Sequence, residues 1–328
     1  MKTALCITTI NAPTTGLKKA IYEITEGTKN PAFIVGDSIT PKETFVDLGE
    51  NTTYIHPGSD LDILKTLPVK SYARKNVGYA QAILAGCEQI IETDDDNIPY
   101  DNWLSNMERE IANVREIISS KSIGYNPYAE FTDENVWPRG LNINDLKSTT
   151  SSEYTQNNNV ACLQGLADKS PDVDAIWRLN NGGNIFFRKR PPFSVAQKNL
   201  LPTNSQNTLW KKVAFPLLYI PHTVEMRFCD ILRGYVASRI LNLNGYSVAF
   251  CQASVYQERN YHDIYQDFLG ELTMYKLTPE LLGLLLSFDG TGSVSDDLRA
   301  VYSKLVASAI CRPEELDSLS EWLNCVGK

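Results

Sequence analysis

At 328 residues with a net charge of −8, the chain can bury a large core, as one α/β unit with a helical extension or as two domains. Its acidic balance excludes the basic face of a nucleic-acid binder, and 43% apolar with 21% charged residues excludes disorder and fibrous repeats. The seven cysteines, Cys6, Cys87, Cys162, Cys229, Cys251, Cys311 and Cys325, are odd in number and form no CxxC pair, which fits free thiols in a reducing compartment rather than a disulfide framework.

The N-terminus shows neither a basic leader nor a cleavage site, and the longest apolar run, residues 281–286, is too short to span a bilayer. The expectation is a soluble, cytoplasmic protein without a transmembrane segment. Apolar runs alternate with helical patterns through the first hundred residues, which predicts βαβ units and a parallel sheet. Residues 4–10 predict the first strand, and residues 16–26 a helix with Leu17, Ala20, Ile21 and Ile24 on one face. Residues 32–35 predict a second strand, closed by Gly36-Asp37, and residues 72–85 a helix leading to a strand at 89–91.

Further on, the polar stretch 148–159 predicts a loop, a candidate lid. Strands are expected at 175–179 and 184–188, a helix at 230–242 and a strand at 246–250. Beyond Asp263 the pattern is helical. Helix starts are expected at Thr278-Pro279-Glu280, Ser295-Asp296-Asp297 and Pro313-Glu314-Glu315. The expected organisation is a domain of residues 1–262 and a helical subdomain of residues 263–328.

In an open α/β sheet, ligands bind outside the carboxyl ends of the strands. Thr9 and Asn11, then Asp37, then Glu92-Thr93-Asp94-Asp95-Asp96-Asn97 fall at such ends. Three consecutive carboxylates after a buried strand repel one another and are costly to desolvate. A divalent cation carrying phosphate oxygens would neutralise them, and hard oxygen ligands suit Mg²⁺, Mn²⁺ or Ca²⁺ rather than zinc. By itself the triplet is equally a solvated acidic turn. Ser71-Tyr72-Ala73-Arg74-Lys75-Asn76-Val77-Gly78 adds two cations and an amide ahead of it, or simply starts a helix. The cluster Arg188-Lys189-Arg190 reads as a solvated strand end or a contact to an acceptor phosphate.

Arg74-Lys75-Asn76-Val77-Gly78-Tyr79 followed by the aspartate run resembles the nucleotide-sugar half of a GT-A glycosyltransferase with its DxD motif. More narrowly, four strings resemble the STELLO-like glycosyltransferase family: Val136-Trp137-Pro138-Arg139-Gly140, then Pro171-Asp172-Val173-Asp174-Ala175-Ile176-Trp177-Arg178-Leu179, then Asn204-Ser205-Gln206-Asn207-Thr208-Leu209-Trp210, then Asp230-Ile231-Leu232-Arg233-Gly234-Tyr235. The similarity covers residues 70–265, with the strings in the family's order. The plant STELLO proteins carry a membrane anchor, which is not transferred to this chain.

The resemblance implies a GT-A-type, Rossmann-like mixed sheet flanked by helices. It implies a nucleoside-diphosphate-sugar donor, with a UDP-sugar favoured, and Mn²⁺ or Mg²⁺ as cofactor. The glycan or glycoconjugate acceptor would belong to polysaccharide synthesis, peripheral to a membrane-associated assembly system; a homo-oligomer is left open. By this resemblance Asp94, Asp96 and His262 hold the metal. Thr9, Asn11, Asp37, Arg74, Lys75, Asn76, Asp94 and Asp95 contact the nucleotide sugar. Asp230, at a helix start, is the catalytic base if configuration inverts and an acceptor ligand if it is retained. Cys229 stands where many relatives have a second acid, and His222 is the alternative to His262, with His56 a loop residue. Two competing readings stay open: a sugar-nucleotide mutase or self-glycosylating protein with Arg139 or Arg178 as reactive arginine, and a non-catalytic Ca²⁺ module. The latter lacks the glycine and glutamate of an EF-hand loop.

Overall fold

The computed structural model describes residues 1–117, 124–145, 154–196, 199–258 and 263–327. Strand β1 (Thr3–Thr9) sets the plan of the molecule. Ala4 and Cys6 enter one apolar core and Leu5 and Ile7 another, all four fully buried, as the two-residue period of a strand dictates. Helix α1 (Thr15–Thr25) covers the second core with Leu17, Ala20, Ile21 and Ile24, and Thr14 caps it by accepting from the Leu17 amide. Strands β2 (Ala32–Gly36) and β3 (Thr52–Ile55) extend the sheet in parallel. Residues 72–74 form a 3₁₀ turn that runs into α2 (Lys75–Leu84) on the first core, and β4 (Gln89–Thr93) returns beside β1. Apart from β3, where no strand was expected, this parallel half agrees with expectation.

The second half departs from it more. After β5 (Asn97–Pro99), α3 (Trp103–Ile111), β6 (Arg115–Ile117) and β7 (Tyr154–Gln156) comes the long strand β8 (Val160–Asp168). Then follow α4 (Ala175–Asn180), β9 (Phe193–Val195), β10 (Asn207–Lys211), α5 (Met226–Leu243) and β11 (Ser247–Gln257). All strands share one eleven-stranded sheet of order β3-β2-β1-β4-β10-β8-β11-β9-β6-β7, with β5 paired to β11. Strand β10 runs antiparallel to both β4 and β8, whereas β8 and β11 are parallel. The molecule is therefore a mixed α/β sheet flanked by helices, as expected.

Several expected elements are corrected. Residues 175–179 form helix α4, not a strand, because Asp174 caps the Trp177 amide at 2.8 Å and the Glu271 carboxylate takes the Ala175 amide at 2.7 Å. Residues 184–188 hold only an isolated bridge from Ile185 to Lys169. Helix α5 begins at Met226, so Asp230 lies one turn inside it rather than at its start. Thr278-Pro279-Glu280 lies within a single helix α6 (Ile264–Leu286), where the Thr278 hydroxyl donates to the Met274 carbonyl at 2.7 Å. Of the expected lid, residues 148–153 lie outside the described residues, and Tyr154–Gln156 pairs as an edge strand with β6.

Helices α7 (Val294–Ala307) and α8 (Glu315–Val326) complete the chain. The C-terminal helices contribute Met274, Leu285, Val301 and Trp322 to the first core, so they share an interior with α2 and α5. Across that core a buried charge network joins the two halves. Glu92 of β4 receives Arg233 of α5 at 2.8 Å and the Trp210 indole at 2.7 Å, and also accepts from Tyr79. A buried carboxylate so fully donated to is tolerable where an unpaired one is not. No helix among the described residues is long and apolar enough to cross a membrane.

Candidate functional site

Strand direction decides where polar groups gather. The carboxyl ends of β1, β2, β4, β8 and β11 and the amino end of antiparallel β10 all reach one edge of the sheet. A cavity of about 640 Å³ opens there, and the first turn of α5 closes its far side. Its lining includes Thr9, Asn11, Asp37, Arg74 and all three aspartates Asp94, Asp95 and Asp96. Each of the four later strings also sends a side chain in: Arg139, Asp172 with Arg178, Gln206, and Asp230.

On the parallel side, the acidic loop is held close by its neighbours. A Cβ on Gly16 would stand 2.5 Å from the Asn97 carbonyl, so only glycine lets α1 approach the loop this closely. Asp95 accepts from the Thr9 hydroxyl at 2.5 Å and from the Asn11 amide at 3.1 Å, which turns its carboxylate towards β1. Asp94 accepts from the Tyr72 hydroxyl at 2.6 Å and from Lys75 at 3.3 Å. Asp96 accepts from Gln257 at 2.7 Å through Oδ2, while its Oδ1 is buried without a hydrogen-bond partner.

Burial raises the Asp94 carboxyl above its ordinary value, reinforced by Asp230 and Asp95 and opposed by Lys75 and Tyr72. Burial, with Asp94 and Asp95 beside it, pushes Asp96 up to about 7. An acid held this far from its ordinary value is a common mark of a functional site. Asp37 is different. Burial alone would raise it, but the amides of Lys70, Ser38 and Ser71 outweigh that and hold it below the usual range. It therefore stitches residues 70–71 to the end of β2, at 2.7 and 3.2 Å.

Two residues expected at the nucleotide do not line the cavity. Lys75 is fully buried and donates to the Tyr72 hydroxyl and the Thr93 carbonyl, each at 2.9 Å, and to Ser205 O at 3.2 Å. The side chain of Asn76 exchanges two hydrogen bonds with the Ile220 backbone, at 2.8 and 2.9 Å, and braces α2. Arg74 does line the cavity; its Nη1 donates to Asp62 at 2.9 Å, and its Nε and Nη2 are buried without a partner. His262 lies outside the described residues. His222 bonds Ser318 at 2.9 Å and His56 the Pro57 carbonyl at 2.9 Å, so each is spent on local structure.

The opposite wall is built around Arg139. Gly140, at φ +88°, lets the backbone pass against Ile231, where a Cβ would stand 2.3 Å away. That approach brings the guanidinium onto α5. Arg139 grips Asp172 with two bonds of 2.8 Å and Asp230 with bonds of 3.1–3.2 Å, and donates to the Arg227 carbonyl. Asp230 also accepts from the Ser205 amide and hydroxyl, each at 3.3 Å. Burial would raise Asp230, but Arg139 overrides it and holds the carboxyl below the usual range. Low proton affinity makes Asp230 a weak general base near neutral pH. The same carboxylates raise Arg139 against the effect of burial, and each of its nitrogens is committed. It is thus a clamp and not a reactive nucleophile.

Lining residues not singled out individually from the sequence include Tyr72, Asp172, Gln206 and Gln257. The first three lie inside strings already quoted, which was the available signal; Gln257 opens the stretch that leads to His262. Among the described residues, no three His, Cys, Asp or Glu side chains converge to hold a metal ion by themselves.

The chain is also similar to known proteins. The chain is 29% identical over 238 residues to a probable glycosyltransferase, STELLO2 of Arabidopsis thaliana. It is 28% identical over 239 residues to the probable glycosyltransferase STELLO1 of the same plant. The chain resembles the STELLO glycosyltransferases. Each match covers 66% of this chain and 31% of the STELLO protein, so the chain spans about a third of the length of the curated relatives it matches. No family model matches. Among solved structures, S. aureus TarS with UDP-GlcNAc aligns at 13% identity and TM-score 0.41, over 100% of this chain and 80% of that one. Glucosyl-3-phosphoglycerate synthase of Mycobacterium tuberculosis with Mn²⁺ and UDP-glucose aligns at 9% identity and TM-score 0.45, over 89% of this chain and 81% of that one.

Proposed function

We propose that the chain is a metal-dependent glycosyltransferase that moves a sugar from a nucleoside-diphosphate sugar, a UDP-sugar by preference, to an acceptor hydroxyl in polysaccharide or glycoconjugate synthesis. One observation carries this reading: the strand-end carboxylates and all four STELLO-like strings converge on a single cavity. Asp94 and Asp96 would hold Mn²⁺ or Mg²⁺. The unpartnered Asp96 Oδ1 is the kind of hard oxygen such an ion takes, with donor phosphate oxygens supplying further ligands. When bound, the ion neutralises charge on the departing nucleoside diphosphate as a Lewis acid.

The protein's own groups divide the remaining work. Arg74 presents an unpaired guanidinium edge that suits a phosphate oxygen. Lys75 acts one step back, fixing Asp94 and Tyr72 rather than touching the donor. Thr9 and Asn11 hold Asp95, and Asp37 shapes the floor where the nucleoside end would lie. Asp230 stays ionised and orients the acceptor hydroxyl by accepting its hydrogen bond, with Asp172 and Arg139 fixing its direction.

Calorimetry against a panel of nucleoside diphosphates and their sugars, with and without Mn²⁺, tests the reading. Metal-dependent binding is expected in wild type and its loss in Asp96→Ala. Asp230→Ala should keep binding and lose turnover. Wild-type protein that binds no member of the panel in the presence of metal overturns the proposal.

A further inference from the structure

Between the two walls of the cavity runs a chain of hydroxyls that the proposed roles leave unused. Asp94 Oδ1 is 2.6 Å from the Tyr72 hydroxyl, which is 2.6 Å from the Ser205 hydroxyl, which is 3.3 Å from Asp230 Oδ2. Three contacts are spanned by two hydroxyl protons, because each hydroxyl has one to give. A phenol keeps its proton near neutral pH, so Tyr72 always has one to give. Both carboxylates are pure acceptors when ionised.

The protons therefore have two good arrangements. In one, Tyr72 donates to Asp94 and Ser205 donates to Tyr72, leaving Asp230 Oδ2 the Ser205 amide at 3.3 Å and Arg139 at 3.1 Å. In the other, Tyr72 donates to Ser205 and Ser205 donates to Asp230, which releases Asp94 Oδ1 from the phenol. The mixed arrangement, with both protons pointing outward, sets lone pair against lone pair across 2.6 Å and is disfavoured. Lys75 fixes the geometry, since its ammonium lies within hydrogen-bond distance of the Tyr72 hydroxyl, Asp94 and the Ser205 carbonyl.

We propose that Tyr72 and Ser205 form a two-state hydrogen-bond chain that couples cation and nucleotide binding at Asp94 to the hydrogen bonding of Asp230. The proposal rests on the glycosyltransferase reading and deepens it. A cation drawing on Asp94 competes with the phenol for lone pairs, so its binding turns the chain towards Asp230. Asp230, already held by Arg139, then gains the Ser205 hydroxyl as a further donor when the donor side is filled. By linkage the effect is reciprocal: whatever turns the chain towards Asp94 weakens the cation's hold. Tyr72 and Ser205 are positioning residues in this scheme and touch no reacting atom.

The test reads binding of Mn²⁺ with UDP by calorimetry, with no acceptor and no turnover. Asp230→Asn supplies an amide that donates to Ser205 and turns the chain towards Asp94. It is expected to weaken Mn²⁺–UDP binding by about three- to tenfold, the scale of one hydrogen bond. In a Tyr72→Phe background the same substitution should change nothing, so the double-mutant cycle shows coupling. Ser205→Ala gives a second route that keeps the ion pair with Arg139 intact. Without the serine oxygen Tyr72 can donate only to Asp94, so binding should weaken similarly and recover when Tyr72→Phe is added. Additive effects in both cycles overturn the coupling while leaving the glycosyltransferase reading standing. Wild-type protein that binds no Mn²⁺–UDP removes the UDP reading and the inference together.

Discussion

The two walls of the cavity handle buried carboxylates in opposite ways. On the α5 side, Arg139 neutralises Asp172 and Asp230 from within the protein, and Asp230 is held below its usual range. On the β4 side, Asp94 and Asp96 are both raised, and one Asp96 oxygen has no partner at all. The first wall is complete as it stands. The second carries an electrostatic cost that a proton or an added positive charge relieves, a cost the first does not carry.

Breaking the completed wall should cost most. Arg139→Met leaves buried Asp230 and part-buried Asp172 without their counter-charge, and a loss of about 3 kcal/mol is expected in denaturant unfolding. A loss below about 1 kcal/mol, the scale of exposed ion pairs, would show that water and not Arg139 compensates these acids.

Behind that wall, Asp174 supplies a pH signature. Burial raises it to about 6, against the help of the Trp177 amide and the Trp137 indole. Because the folded state binds this proton more tightly than the unfolded chain, the contribution is unfavourable above the folded value. It fades as pH falls from about 6 towards the unfolded value near 4. Across that window Asp174 should cost about 3 kcal/mol as pH rises. Comparing urea midpoints at the two ends for wild type and Asp174→Asn isolates this slope, which the variant should lack.

The open wall should respond in the opposite sense. Asp96→Asn removes one of three repelling charges, so the metal-free protein should gain on the order of 1 kcal/mol. The same variant should lose metal-dependent nucleotide binding. A gain in thermal midpoint together with a loss of Mn²⁺–UDP heat would sharpen the contrast; a destabilised variant would erase it.

The parallel half was legible because its information is local. Ala4, Cys6, Leu5 and Ile7 alternate, α1 shows its apolar stripe, and Asp37 and Asp94 follow buried runs directly. The second half was less so. Residues 175–179 look like a strand until Glu271, far along the chain, supplies an acceptor for the Ala175 amide. Strand β8 carries Gln164-Gly165 in its middle, yet Gln164 is satisfied by neighbours from β10 and its approach, which no local pattern reveals. Lys75 and Asn76 carry the right chemistry for a nucleotide, but α2 turns both inward, towards Tyr72 and Ile220.

The sequence by itself therefore determined the strand ends that bear polar side chains, the acidic run, and the strings that resemble the STELLO-like family. Those depend on residue type and spacing, which a chain displays openly. Only the tertiary structure decided that antiparallel β10 brings Ser205 and Gln206 to the same edge as Asp94, that Arg139 clamps Asp172 to Asp230, and that Tyr72 stands between the two walls. Such facts depend on strand direction and on contacts between residues more than twenty positions apart, down to 22 for Tyr72 with Asp94. No local preference encodes them, because a carboxylate's proton affinity is set by what the fold places around it.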